Sequence, residues 1–331
     1  MTPRVPGGEG GPEGYDETRR RPIVLVVGAA SRDLTDDDSR GWHLGGAVTY
    51  GSLFLARLGF RVRAVVGVDA EAAGARELAD LEAAGAVLVR APLASGPVFD
   101  NVETPEGRRQ RCIASSDPIP VTALPRAWTT GSYAVFLAPV ASELGDDWAG
   151  IASLTVVALG WQGLLRELRA GAEVQRVAPR ASVLLSAANL VGVSREDLAP
   201  GTDPEALLRL LAPTVSLLVT AGLEGGTAFS RAADGSIFRE PYDAIPSDAT
   251  ADPTGAGDVF LAAMLACRLD PALEDPVLFA AAAASLVVEG PGVDGVPDLA
   301  AVRRRMTRPP SRASRPPSDV SSRASGRPSQ A

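Results

Sequence analysis

Short apolar runs and helical segments alternate along this chain, and that alternation restricts the fold more than any other feature. PIVLVVGAA (22–30) is a β-branched run ending in Gly, the pattern of a buried strand. AVTYGSLFLARLG (47–59) sets Val48, Leu53, Leu55 and Leu58 at helical spacing and stops at Gly59. RVRAVVGVD (61–69) reads as a strand and EAAGARELADLEAAG (71–85) as a helix. Further strands are expected in YAVFLAPV, LTVVAL, ASVLLS and VSLLVT, with helical segments WQGLLRELR and DPEALLRLL between them. Such alternation implies a mostly parallel α/β sheet covered by helices on both faces. GPVFDNVETPEGRRQRCIA (96–114) breaks the rhythm as two extended arms around TPEG, a β-hairpin that must pack on something and forms a small lid beside the sheet.

Composition narrows the chemistry. None of the 331 residues is lysine, so all 32 basic residues are arginine, and a Walker A loop, which needs its Lys, is excluded. His43 is the only histidine and no G-x-S-x-G elbow is present, which argues against a Ser-His-Asp hydrolase. Cys112 and Cys267 are too few for a disulfide framework or a structural zinc site, and a reduced, cytoplasmic setting is expected. No apolar run reaches the length of a membrane span. A net charge of −8 argues against broad nucleic-acid binding. Residues 1–21 are polar and glycine-rich, and 303–331 are rich in Arg, Ser and Pro, so both read as disordered tails around one domain at 22–302. The basic tail is either a solvated extension or a contact for acidic partners.

DPTGAGDVF (252–260) runs straight into the apolar stretch LAAMLAC. Gly255, Ala256 and Gly257 then occupy a first helical turn, where backbone N–H groups lack intrahelical partners. Small side chains would let a phosphate reach those amides, and the helix dipole favours its charge. Asp258 in the same turn is expected to stay ionised and take a hydroxyl proton while the amides stabilise a transferring phosphoryl group. The alternative is an ordinary helix start with glycines in a tight turn.

The stretch resembles the C-terminal signature of the ribokinase-like (PfkB) carbohydrate kinases. L44-G-G-A-V-T-Y-G-S-L-F-L-A-R-L-G59 with V65-V-G-V-D69 is similar to that family's Gly-Gly helix and following strand, and V219-T-A-G-L-E-G-G226 to its nucleotide-side strand and turn. G28-A-A-S-R-D33 and W161-Q-G-L-L-R166 look closest to the inositol-kinase-like branch. The resemblance covers roughly residues 22 to 302. It implies a doubly wound α/β fold with a small β lid, ATP and Mg²⁺, a sugar or cyclitol acceptor, and no membrane; a homodimer is compatible with it. Matched by position, Asp258 is the base and Gly255, Ala256 and Gly257 the anion hole. Asp33, Gly45 and Gly46 contact acceptor hydroxyls, joined by Gln162 and Arg166. Thr220, Gly222 and Gly225 lie on the nucleotide side, and Asp252 helps hold a monovalent cation such as K⁺. A carboxylate at Asp33 that accepts two hydroxyls rewards a diol on chemical grounds as well, although Asp33 also reads as a loop aspartate near Asp36, Asp37 and Asp38. Gly45-Gly46 also reads as a tight turn, and Arg166 as a solvated helix position.

Two positions depart from the family. Its Asn-x-x-Glu-type element, which helps place Mg²⁺, is expected at L185-S-A-A-N-L-V-G192, where no acid occurs until Glu196. Tyr50 replaces the usual Asn after the Gly-Gly pair and is expected to reshape the acceptor pocket. G290-P-G-V-D-G295 fits G-x-G-x-x-G but follows an alanine-rich helical run, so a loop is expected there and not a dinucleotide site. Three functions remain: a sugar or cyclitol kinase, a nucleoside kinase of the same fold, and a regulatory protein that binds in the pocket without phosphotransfer.

Overall fold

The computed structural model describes residues 21–307, apart from 105–106, 130, 132–133 and 153–155. The chain begins with β1 (Ile23–Ala29), β2 (Ser31–Leu34), β3 (Trp42–Gly45), α1 (Ala47–Arg57), β4 (Arg61–Val68), α2 (Arg76–Ala83) and β5 (Val87–Pro92). It continues through β6 (Val98–Thr104), β7 (Gly107–Ala114), β8 (Ala134–Leu137), β9 (Val156–Gly160) and the short β10 (Arg166–Glu167), β11 (Ala172–Glu173) and β12 (Gln175–Arg176). The last part holds α3 (Val183–Ala187), β13 (Leu190–Ser194), α4 (Pro204–Leu207), β14 (Ser216–Thr220), β15 (Gly226–Arg231), β16 (Ile237–Tyr242), α5 (Ala256–Leu269), α6 (Pro276–Val287) and α7 (Leu299–Met306).

Nine strands form the main sheet in the order β16-β15-β14-β13-β9-β8-β1-β4-β5. It is parallel from β14 to β5, and β15 and β16 add an antiparallel edge. Burial of these strands on both faces explains why they read as continuous apolar runs. One face packs on α1, α2, α5, α6 and α7 through Val26, Leu53, Phe54, Leu265 and Phe279. Shorter helices and 3-10 turns cover the other, around Trp148, Trp161, Leu185 and Leu208. The α/β class with a ribokinase-like layout is as expected.

Several local expectations need correction. ASVLLS is not a strand: the Ser182 hydroxyl accepts from the Leu185 amide at 3.2 Å and caps the short helix α3. WQGLLRELR is not a helix. Its single 3-10 turn, Gln162–Leu164, packs Gly163 so tightly on Pro139 that no Cβ would fit, and the chain then becomes extended at β10. The lid is more than a hairpin, because β6 and β7 are completed into a five-stranded sheet ordered β11-β7-β6-β2-β3. The basic tail begins later than expected: Arg303–Met306 belong to α7, and buried Arg305 donates to Glu289 at 2.7 Å and to Ser285 at 2.9 Å. Arg21 is part of the domain, paired with Asp270 at 3.1 Å. The rest of both expected tails lies outside the described residues. Among the described residues, no helix is long and apolar enough to cross a membrane.

Candidate active site

Strand order reverses between β1 and β8, since the chain proceeds from β1 to β4 and β5 on one side and through β8 and β9 on the other. Ligands of open α/β sheets sit at such a switch point, beyond the carboxyl ends of the strands. Buried Glu143 marks that place. It accepts from the amides of Ala29 (2.8 Å) and Ala141 (2.8 Å) and at 3.1 Å from Val140, which ties the ends of β1 and β8 together. Burial pushes its carboxyl above the ordinary range despite those bonds.

From β1 the chain passes through Ala30 directly into the lid strand β2, which carries Asp33. Asp33 pairs with His43 of β3 and Phe99 of β6, and its carboxylate lies against Gly45, where a Cβ would overlap it. Gly46, at φ 90°, starts α1 in a conformation that favours glycine, and its Cβ would press on the Ala29 carbonyl. The two glycines therefore let Asp33, the end of β1 and the start of α1 approach one another.

Opposite them, α5 starts at Gly255 with φ 82° and no side-chain cap. A Cβ at Gly255 would overlap the buried Tyr50 ring. Tyr50 thus supports this turn from beneath, a different place from the acceptor pocket expected for it. Gly257, by contrast, opens onto space free of protein atoms within 4 Å. The first-turn amides lack the side-chain partner that usually satisfies them, at a position with room for an anion. Asp252 braces the turn by accepting from Thr254 at 2.9 Å and from the Gly292 amide at 3.2 Å, so G290-P-G-V-D-G295 is a supporting loop.

Asp258 does not stay fully ionised as expected. Burial pushes its carboxyl up to about 7, Arg166 opposes the shift, and the carboxylates of Asp197 and Asp33 add to it. These four groups thus share one electrostatic neighbourhood. Asp197 is buried and accepts from Arg166 at 3.1 Å and Gln162 at 3.2 Å. The sequence reading missed it because it set the strand end too early. β13 ends at Ser194, and the turn after it carries both Glu196 and Asp197, so the acid missing from 185–192 is present here.

Thr220 ends β14, and Gly222 (φ 55°) and Gly225 (φ 81°) shape the turn into β15. Any Cβ at Gly225 would overlap the Tyr242 carbonyl, and Tyr242 stacks on Phe260 of α5 at 5.1 Å, which fixes this turn beside the same helix. Among the described residues, the one acidic and histidine grouping spaced for a shared ion is Asp38, His43 and Glu77. Arg40 already bridges its two carboxylates, at 2.8 and 2.5 Å. Near Asp258, the carboxylates of Asp258 and Asp197 are hard oxygen donors of the kind Mg²⁺ takes.

The fold and this cleft define a ribokinase-like α/β protein. Residues 172–299 match the model of the pfkB family carbohydrate kinase, in line with the PfkB resemblance of the sequence. Curated proteins gave no match. Among solved structures, a pyrophosphate-dependent kinase in the ribokinase family, complexed with a pyrophosphate analog and myo-inositol, is similar at TM-score 0.63 and 19% identity, covering 82% of this chain and 98% of that one. Arabidopsis thaliana ribokinase complexed with ribose and ATP is similar at TM-score 0.62 and 18% identity, covering 87% and 100%. A Methanocaldococcus jannaschii nucleoside kinase reaches 0.58 at 16% identity, covering 87% and 98%.

Proposed function

We propose that this chain transfers the terminal phosphoryl group of ATP to a hydroxyl of a small sugar or cyclitol. The observation that carries the reading is the open, uncapped first turn of α5 beside Asp258, whose carboxyl burial pushes up to about 7. The amides of Gly255, Ala256 and Gly257 face the charge that develops on the transferring group. Asp258 takes the proton of the attacking hydroxyl, a role suited to a carboxyl that titrates near neutral pH. Asp33 accepts from acceptor hydroxyls, with Gly45 and Gly46 leaving room for them. Gln162 and Arg166 hold Asp197 in place, and Arg166 opposes the rise of the Asp258 carboxyl. Thr220, Gly222 and Gly225 border the nucleotide.

Asp258 and Asp197 would face a Mg²⁺ bound with ATP, which would neutralise phosphate charge, and Asp252 would help hold a monovalent cation. Asp197, in the turn after β13, supports the kinase reading over an inactive, regulatory protein. A screen of ATP and pyrophosphate consumption over sugars, cyclitols and nucleosides tests the proposal; pyrophosphate belongs in it because one neighbour is named as a pyrophosphate-dependent kinase. ATP consumption dependent on a sugar or cyclitol is expected. Consumption with nucleosides alone would replace the acceptor class, and none with any pair would overturn the kinase reading.

A further inference from the structure

Glu143 is a buried carboxylate with no part in the proposed transfer. β8 follows β1 up to Ala138, whose amide donates to the Val27 carbonyl at 2.8 Å. Alternate residues of a strand face the same neighbour, so the next β1 amide on that side is Ala29. Pro139 follows Ala138 and brings no N–H to the ladder. Ala29 donates to Glu143 Oε1 at 2.8 Å, and Glu143 Oε2 accepts from Ala141 at 2.8 Å. The Val140 amide lies 3.1 Å from both oxygens. The carboxylate thus stands where a strand carbonyl would, and β1 and β8 part around it at the switch point.

An ionisable group buried this deeply is costly unless donors meet it, and here both oxygens are engaged. The loop is held on its far side as well. Ser142 has φ 58°, uncommon for a residue with a side chain, and its hydroxyl donates to the Gly163 carbonyl at 2.7 Å. Such conformations persist where the surroundings fix them, and they gather at functional sites. A Cβ on Gly163 would lie 2.3 Å from the Pro139 carbonyl oxygen and 2.7 Å from the Val140 nitrogen, so turn and loop touch directly. One side of Glu143 therefore leads through Ala29 and Ala30 into β2 and Asp33. The other leads through Ser142 and Gly163 to Gln162 and Arg166, which hold Asp197.

We propose that Glu143 is a positioning residue: it sets Asp33 and the Gln162–Arg166 turn from a single point, so that the acceptor and the groups around Asp258 come into register. Its effect on turnover rests on the kinase reading; the shared anchorage does not.

The test pairs hydrogen exchange of the ligand-free full chain with kinetics. Glu143→Gln keeps the size, but its NH2 group must face an amide that the lost oxygen accepted from. Exchange should quicken about tenfold, the scale of one unmade buried bond, in peptides over 29–33 and 162–166 together, and stay unchanged in the middle of α5. With the acceptor that the consumption screen selects, kcat should fall by about 10–10², as small misplacements of reacting groups do. The acceptor KM should rise and the KM for ATP stay unchanged. Ser142→Gly relieves the backbone but removes the hydroxyl, so it should keep the melting temperature yet quicken exchange at 162–166 and lower kcat. It decides the matter should Glu143→Gln fail to fold. Val62→Ala, buried at the amino end of β4, is the control, and should lower the melting temperature while kcat stays at wild type. Quickening in only one of the two segments of Glu143→Gln, uniform quickening along the chain, or wild-type exchange and kcat in Ser142→Gly would overturn the proposal. Quickening of both segments in a chain that turns over no acceptor would uphold the anchorage and overturn the kinase reading instead.

Discussion

The two sides of the cleft are held by different forces. On the phosphate side, the middle of α5 is buried, and its first turn is shaped by Gly255 against the Tyr50 ring with Asp252 bonding two backbone amides. On the acceptor side, the arm made of β2 and β3 is pinned by charge. Arg32 pairs with Asp69 at 2.8 Å and also with Glu71, and Arg40 joins Asp38 to Glu77. Both guanidiniums lie over Trp42, 5.8 and 4.3 Å from its ring centre. One side depends on shape and tolerates salt; the other depends on ion pairs and responds to salt and pH. Under the proposed function, the half held by shape receives the phosphate and the half held by ion pairs receives the hydroxyls.

The largest expected effect is on the rigid side. Asp258→Asn should lower turnover by about 10²–10⁴, the usual worth of a general base, while ATP affinity stays close to wild type. The same change should stabilise the fold. A carboxyl raised from an ordinary 3.8 to about 7 lends its stability below the ordinary value and loses it as pH rises through 7. Melting curves should therefore favour the Asn variant by several degrees, roughly, at pH 8, with the gain fading towards pH 4. An Asn variant with wild-type turnover would end the assignment.

The two cradle glycines should separate shape from binding. Gly255→Ala forces a Cβ into the Tyr50 ring at a left-handed φ and should lower the melting temperature by roughly 5–15 °C, as overpacking of about 1–3 kcal/mol with added backbone strain implies. Gly257→Ala faces open space and should leave stability within about 0.5 kcal/mol, yet raise the KM for ATP by intruding on the amides. Equal melting losses in both variants would show that the Tyr50 support is not what shapes this turn.

Acid should divide the two sides next. Burial pushes the Asp69 and Glu77 carboxyls up, but Arg32 at Asp69, Arg40 at Glu77 and backbone amides at both more than reverse this, and each ends below its ordinary range. The stability they lend is present above ordinary carboxyl values and lost only as pH falls below them. Activity should thus fall near pH 7 with the arm and fold intact, and unfolding should follow at much lower pH. Arg166→Gln should move the acid limb of kcat/KM to higher pH, since Arg166 opposes the rise at Asp258. A limb that coincides with unfolding would remove the distinction.

Smaller effects should follow on the charged side. Glu77→Gln should raise the acceptor KM several-fold with little change in the KM for ATP, and salt should mimic it in wild type. Removing 308–331 should leave the melting temperature unchanged, whereas removal from 299 onward takes Arg305 from its partners and should lower it measurably.

The strands and the α5 turn were legible in the sequence because long apolar runs and a glycine-framed acid leave few local alternatives. Among the glycines read from the sequence, Gly45, Gly46, Gly225 and Gly255 leave no room for a Cβ and Gly222 takes a positive φ, whereas Gly257 has open space around it. Failures came where tertiary contacts decide. ASVLLS has strand composition yet becomes a helix through one Ser182 cap, and that error displaced the end of β13 and hid Asp197. Glu143 left no local signal, since its partners are amides at the ends of two other strands. The titration of Asp258 was misjudged because the carboxylates raising it come from β2 and from the turn after β13, far off in sequence.

The central claim is that both sides meet to move a phosphoryl group onto a hydroxyl, and phosphorus NMR of the full chain with MgATP and a neutral polyol tests it most directly. The account predicts loss of the γ-phosphate signal matched by a new phosphomonoester signal in wild type, with both changes absent over the same time in Asp258→Asn. Free inorganic phosphate in place of the ester, or an ester formed equally well by the Asn variant, would contradict it.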